Sequence, residues 1–486
     1  MIWSIPGVNR RQFLATTGRL IPAAIPGLGL ESDFQSRPEI PLHVELTRTI
    51  AIVPQDFVGL GYEISSVAPP GLLSSANSVY VQLVRTLGAR GVIRVGGNTS
   101  DYSAYSASGA ALSSPQGKAG SVVNEAVLRD LGSFLRATGW RLIWGLNLGS
   151  GTPENAVAEA RAVSRAIGDS LLAFEIGNEP DLFSRVHRQI GYGYDEYLRE
   201  FRAYRETLQK AIPDISFAGP DVATATQWVQ KFATDERQNI KLLTHHYYRD
   251  GALRPTSTIP ELLHADRKLT EILEKLLEAS RSSGLPYRIC ETNSFYGGGK
   301  PGVSDRFAAA LWVLDFMFTL ASASCAGVNL ETGVNQLGFI SSYSPIGDDE
   351  RGSYFAAPEY YGMLAFAQAV VGRIIGCTFE TKGRNIKAYA TLQDANRLVL
   401  TLINKEPADD VRVVLDRSLC SRFRSASVMR LRGPSMESNS GVTLAGSAVS
   451  ADGIWKPMRL EEFSLTSPQP KLRLPRASAA ILHIDG

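Results

Sequence analysis

The stretch Phe174-Glu175-Ile176-Gly177-Asn178-Glu179-Pro180-Asp181-Leu182-Phe183 decides the fold. The apolar run 171–174 leads into it as a buried strand, Gly177 breaks the pattern, and Asn178, Glu179 and Pro180 follow at once. A carboxylate at the carboxyl end of a buried strand, fixed by a following proline, suits a catalytic acid on an α/β barrel. Glu291 closes the apolar stretch 287–290 in the same way. Two carboxylates on the tips of two buried strands are the pair that glycosidic bond cleavage uses, one protonating the leaving oxygen and one attacking the sugar.

Working outward, eight short apolar segments read as strands: 57–63, 92–96, 141–147, 171–177, 216–220, 242–247, 287–290 and 327–330. Between them, segments of helical period cover 77–87, 124–138, 153–167, 194–211, 260–280 and 305–321. Eight alternations of strand and helix predict a (β/α)8 TIM barrel over 55–372, an α/β fold. After about Val370 the helices stop, and short alternating runs at 386–391, 398–402, 411–415, 426–431 and 479–484 predict a second, smaller antiparallel β-sandwich domain over 373–486. The lone alternating strand within 38–54 has no barrel partner and is expected to join that sandwich. The stretch 103–121, rich in Ser, Ala and Gly, reads as a surface loop after the second strand.

The chain begins with a different signature. Asn9-Arg10-Arg11-Gln12-Phe13-Leu14 resembles a twin-arginine motif, and the mildly apolar 14–30 that follows is too broken by Gly and Pro to span a membrane. Residues 1–36 are therefore expected to be an export signal, delivering a periplasmic or secreted protein with no membrane anchor afterwards. Such export carries folded proteins and does not require disulfides.

Composition excludes several other classes. Lys+Arg 50 against Asp+Glu 48 gives a net charge of +2, with no basic stripe to hold nucleic acid. The 17 Tyr and six Trp supply stacking surface for sugar rings, although core packing accounts for most of them. Cys290, Cys325, Cys377 and Cys420 lack metal-ligand spacing, and Cys290 and Cys325 sit in apolar runs as small core residues. The adjacent His245 and His246 point to opposite faces of a strand and are poorly placed to share a metal. No metal and no cofactor are expected.

In a barrel, the polar residues at strand ends gather at one face. Here they are Glu63, Arg94, Asn98, Asp101, Asn147, Asn178, Glu179, Asp221, the His245–Tyr248 group, Glu291 and Gln336. Arg94 and Glu175 both fall inside strands and are expected to form a buried pair that orients the catalytic carboxylates. Tyr247 is expected to donate a hydrogen bond to Glu291, or else to be a core tyrosine. Asn178 is either a turn former or a donor to the substrate.

Four of these segments carry a family resemblance: 174–182, Thr244-His245-His246-Tyr247-Tyr248, Arg94-Val95-Gly96-Gly97 and Gly219-Pro220-Asp221-Val222. Together with Glu291-Thr292-Asn293-Ser294-Phe295-Tyr296-Gly297-Gly298-Gly299 and the closing 471–485, they resemble glycoside hydrolase family 79, the heparanases and bacterial β-glucuronidases. Asn-Glu-Pro alone marks only the wider clan, whereas Glu291 followed by Tyr296-Gly297-Gly298 is much more specific. The resemblance implies Glu179 as general acid/base and Glu291 as nucleophile of a retaining mechanism. It implies Asn178 on the sugar 2-hydroxyl, Tyr296, Gly297 and Gly298 on a glucuronate carboxylate, and Glu63, Asn98 and Gln336 on the same sugar. The chain departs from animal heparanases in its short, nearly uncharged 103–121 loop and its lack of dense Lys/Arg clusters. An uncut, monomeric exo-β-glucuronidase is therefore expected, acting on a glucuronic-acid-containing glycoside or oligosaccharide. The alternatives are an endo-β-glucuronidase, a clan relative with another sugar, and an inactive sugar binder.

Overall fold

Strands form where apolar runs are short and bounded by Gly, Pro or Asn, and helices where one face is apolar and the ends are capped. The computed structural model describes residues 38–109, 120–335, 341–349, 351–370, 372–394, 396–423 and 425–486. The expected export signal at 1–36 and Gln336 lie outside the described residues. Among those described, no helix is long and apolar enough to cross a membrane.

Eight parallel strands make the barrel: Gly59–Glu63, Val92–Gly96, Arg141–Leu146, Leu171–Ile176, Ala218–Val222, Leu242–Gly251, Tyr287–Tyr296 and Val328–Glu331. Around the sheet they run fourth, third, second, first, eighth, seventh, sixth, fifth. The ring closes where the Phe174 N–H donates to Ser216 O at 2.8 Å. Helix starts follow ordinary capping chemistry. Asn124 accepts from Ala126 and Val127 N–H, and Thr152 accepts from Asn155 N–H with Pro153 at the first helical position.

Several elements differ from expectation. The seventh strand continues six residues past Cys290, so Glu291 sits within it rather than at its tip. The single helix expected over 260–280 is two, Ile259–Leu263 and Arg267–Ser283, because Asp266 caps Lys268 N–H and restarts the helix. Helices Thr226–Asp235 and Pro358–Ala369 fill the places after the fifth and eighth strands where the alternation calls for a helix but no helical segment is delimited in the sequence. The second is buried nearly all round, so it carries no amphipathic signal to read. A short helix, Arg417–Arg422, also interrupts the region where helices were expected to stop.

The second sheet has ten strands in one hydrogen-bonded system. Glu39–Ile52 enters it from the amino-terminal side, antiparallel to Arg373–Phe379 and parallel to Val411–Leu415, the one parallel pairing on its path. One face curls around an apolar core that includes Leu42, Leu400, Val413, Leu472 and Leu482. From the other face, Val399, Ile403, Met429 and Ile481 join the barrel's own core.

Candidate active site

Strand alternation places Arg94, Glu175, His246 and Tyr248 inside the barrel mouth. Two irregularities add carboxylates to that set. The seventh strand slips register against the sixth between Ile289 and Glu291, so that Glu291 pairs with His246. The fifth strand slips between Pro220 and Val222, at Asp221, whose φ is 59°. Bulges of this kind re-aim side chains and recur beside active sites.

Arg94 is fully buried and is the hub of the mouth. Its Nε donates to Glu175 Oε2 at 3.0 Å and its Nη1 to Glu291 Oε2 at 2.8 Å. Its Nη2 donates to Asn178 Oδ1 at 2.8 Å and to Asp221 Oδ2 at 2.6 Å. A buried guanidinium is tolerable only when its charge and donors are met in this way. Burial, followed by the charge of Asp221, pushes the Glu175 carboxyl up to about 7. Burial works against an ionised Asp221 too, but Arg94 and His246 hold its carboxyl well below the ordinary range.

His246 bridges the two halves of the site. Its Nε2 lies 2.7 Å from Asp221 Oδ1, its Nδ1 3.0 Å from Glu179 Oε1, and the same Nδ1 is 3.8 Å from Glu291 Oε2. Against the cost of burial, the charges of Asp221 and Glu291 hold its imidazolium well above the usual histidine range. Glu179 itself stands at φ 51° and ψ 51°, a left-handed conformation costly for a glutamate. It is held there by its own N–H, which donates to Asp221 O at 2.9 Å, and by Pro180. Burial raises the Glu179 carboxyl; the His246 hydrogen bond opposes this, and the charge of Glu291 adds to it.

One donor atom each from Glu179, His246 and Glu291 lies within 4.8 Å of the others. The arrangement has the spacing of a cation site, but His246 is held as an imidazolium and Arg94 already occupies Glu291. The same closeness suits two carboxyls on one anomeric carbon, since a retaining pair stands about 5–5.5 Å apart.

Tyr247 does not reach Glu291. It faces the helical layer, its hydroxyl donates to Asp266, and its ring stacks on Phe316 at 5.4 Å. Tyr248, one residue on and on the inner face, donates to Glu291 Oε1 at 2.9 Å. The parity that separates His245 from His246 could have revealed this, because Tyr248 shares the face of His246.

The mouth opens into a cleft of about 1240 Å³, lined among others by Glu63, Asn98, Glu179, Tyr248, Glu291 and Glu331. Tyr296, half exposed, lines it with Gly297 and Gly298, both at φ 85°. Glu63 is already well bonded, accepting from Asn98 N at 3.2 Å, Thr99 N at 2.8 Å and Thr99 Oγ1 at 2.5 Å. A Cβ at Gly97 would meet that carboxyl at 2.3 Å, so only glycine lets it dock. Burial, then the charge of Glu291, raises Glu63 to about 7. Asn178 donates from Nδ2 to Asn98 Oδ1 at 3.4 Å, and its N–H reaches Asp101 Oδ2 at 3.1 Å. Tyr102, Gly120, Ser121 and Val122 bring the loop after the second strand to the cleft wall; residues 110–119 of that loop lie outside the described residues. Sequence reasoning gives no role to His246, Asp221 or Tyr248, whose partners are distant in the chain, or to Glu331, which has none.

No family model matches the chain. It is 26% identical to a β-glucuronidase of Aspergillus niger over 88% of each chain. It is 30% identical to a β-glucuronidase of Neurospora crassa over 59% of this chain and 57% of the relative, and 28% identical to mouse heparanase over 50% and 46%. In structure it is similar to a 4-O-α-L-rhamnosyl-β-D-glucuronidase from Fusarium oxysporum, with a TM-score of 0.72 at 18% identity, covering 92% of this chain and all of that one. A family 51 α-L-arabinofuranosidase from Bifidobacterium longum superposes with a TM-score of 0.67 at 14% identity, over 93% of this chain and all of that one. Barrel, facing glutamates and relatives agree: the chain is a glycoside hydrolase, similar in sequence to β-glucuronidases and heparanases.

Proposed function

We propose that the chain is a retaining exo-β-glucuronidase. The observation that carries the reading is the approach of Glu179 and Glu291 to within 4.8 Å across the cleft that Tyr296, Gly297 and Gly298 line. Glu291 attacks the anomeric carbon while the bond to the leaving oxygen breaks, and Glu179 gives that oxygen its proton. Water then attacks the same carbon, the bond to Glu291 breaks, and Glu179 takes the proton back. The raised carboxyl of Glu179 suits it to arrive protonated. Once it has donated, the His246 imidazolium 3.0 Å away stabilises the carboxylate left behind. Arg94 and Tyr248 each hold one oxygen of Glu291 and so aim it. Tyr296 supplies a hydroxyl and the two glycines a close backbone approach, the donors that a glucuronate carboxylate needs.

The test is hydrolysis of p-nitrophenyl β-D-glucuronide and β-D-glucoside by the wild type and Glu291→Gln. Turnover of the glucuronide that vanishes in Glu291→Gln is expected. Turnover of the glucoside alone would reject the glucuronate reading.

A second reading, internal cleavage of glucuronic-acid polysaccharide, draws on a cleft larger than one sugar requires. Digests yielding oligosaccharides rather than monosaccharide would favour it. Residues 1–36 are proposed to direct export through their twin-arginine motif. A reporter fused to them should leave the cytoplasm, and Arg10→Lys with Arg11→Lys should retain it.

A further inference from the structure

Glu331 ends the eighth barrel strand and lines the cleft, yet only 3% of it is exposed and neither of its carboxyl oxygens has a hydrogen-bond partner. Gly61 makes room for it, since a Cβ there would stand 2.7 Å from Glu331 Oε2. Leaving a buried carboxyl unsatisfied is costly, so such a group calls for a ligand. Glu63, its neighbour on the first strand, already accepts three hydrogen bonds, whereas Glu331 keeps its whole bonding capacity.

The strand order says which part of the sugar it meets. From the fourth strand round to the seventh, the sheet runs fourth, third, second, first, eighth, seventh. Along that path the groups facing the cleft are Asn178, Asn98, Glu63, Glu331 and then the Tyr296–Gly298 segment. A glucuronate ring held at its anomeric carbon presents its 2-, 3- and 4-hydroxyls and its carboxylate around the rim in that same order. With Asn178 on the 2-hydroxyl and Tyr296–Gly298 on the carboxylate, the position just before the carboxylate is the 4-hydroxyl.

We propose that Glu331 binds the free 4-hydroxyl of the sugar and so makes the enzyme specific for unsubstituted glucuronic acid ends. This rests on the reading of the site as a β-glucuronidase. Burial, with the charges of Glu291 and Glu63 behind it, pushes the Glu331 carboxyl well above the usual range. A neutral carboxylic acid both donates to and accepts from a hydroxyl. A methyl or sugar on that oxygen removes the donor and fills the space between Glu331 and the ring.

The experiment is a cycle of kcat/KM values. Wild type, Glu331→Ala and Glu331→Gln are assayed on p-nitrophenyl β-D-glucuronide, its 4-deoxy analogue and its 4-O-methyl analogue, with melting temperatures alongside. Wild type should lose about 10²-fold on the 4-deoxy sugar, because an unfilled buried carboxyl penalises the missing hydroxyl. Glu331→Ala should lose about as much on the parent, yet fall within about threefold of wild type on the 4-deoxy sugar. Glu331→Gln, whose amide also donates and accepts, should stay within about tenfold of wild type on the parent and fold normally. Equal losses on parent and 4-deoxy sugar in both variants would overturn the proposal, as would wild-type turnover of the 4-O-methyl sugar matching the parent. If wild type cleaves only the β-glucoside, the glucuronate reading fails by itself, and the same cycle on glucoside and 4-deoxyglucoside decides the role of Glu331. No turnover of either series by wild type overturns both.

Discussion

Two arginines lie buried inside the same barrel, and their surroundings differ. Arg94, at the mouth, is bound to Glu175, Asp221 and Glu291. Arg288, toward the base, has no carboxylate in its hydrogen bonds: Nε donates to Asn329 Oδ1 at 2.7 Å, and Nη2 to Phe57 O at 3.2 Å and Val328 O at 3.1 Å. It fills the space left by Gly59, where a Cβ would come within 2.6 Å of its Nη2. The base uses its cation to tie together the ends of the first, seventh and eighth strands. The mouth uses its cation to aim carboxylates. Barrels divide their labour in this way, with stability at the amino-terminal face and chemistry at the carboxyl-terminal face.

Substitution should separate the two. The largest effect is expected from Arg94→Met, which leaves Glu175, Asp221 and Glu291 without their cation. Turnover of p-nitrophenyl β-D-glucuronide should fall by 10³-fold or more, an order of magnitude judged from other enzymes that lose a group aiming the nucleophile. A folded Arg94→Met enzyme with normal turnover would erase the distinction. Arg288→Met should instead cost about 2–5 kcal/mol in denaturant unfolding, since it strands several neutral buried acceptors at about 1–3 kcal/mol each, with kcat per folded molecule unchanged.

A finer division runs within one strand. Tyr248→Phe removes the hydrogen bond to Glu291 and should lower kcat about 10–10²-fold with little change in melting temperature. Tyr247→Phe removes only the bond to Asp266. It should cost about 1 kcal/mol of stability and leave kcat within about twofold. The opposite pattern would place the wrong tyrosine in the site.

The smallest effect concerns pH. Glu159 lies buried in the barrel wall with Trp144 Nε1 at 2.8 Å, and burial raises its carboxyl to about 7. Its folded value is above its unfolded one, so its contribution is complete below the unfolded pKa, near 4.3. That contribution is lost as pH rises through about 7. Glu159→Gln should therefore flatten part of the decline in melting temperature between those values. An unchanged decline would show that Glu159 does not carry it.

How much of this was legible in the sequence follows from the range of the interactions involved. The apolar strands and capped helices announce themselves locally, and the 171–174 run before Asn178 and Glu179 was enough to orient the barrel. The strand Glu39–Ile52 could be assigned to the second sheet because its alternation did not fit a buried parallel strand. The helix Pro358–Ala369 could not, since buried helices lack a polar face. At the site, the motif glutamates were visible, but the bulges that turn Asp221 and Glu291 inward were not, because register is a property of paired strands. Tyr248 was within reach of the sequence, since simple alternation puts it on the face of His246 and Tyr247 on the other. Glu331 is silent in the sequence because its meaning depends on Gly61 and Glu63, some 270 residues away, which leave it room but no partner.

The most direct test of the central claim is chemical rescue of Glu179→Ala with azide on p-nitrophenyl β-D-glucuronide. If Glu179 is the acid/base and Glu291 the nucleophile of a retaining pair, added azide should restore turnover and the product should be the β-glucuronyl azide. Absence of rescue in a folded variant, or an α-configured azide, would contradict the account.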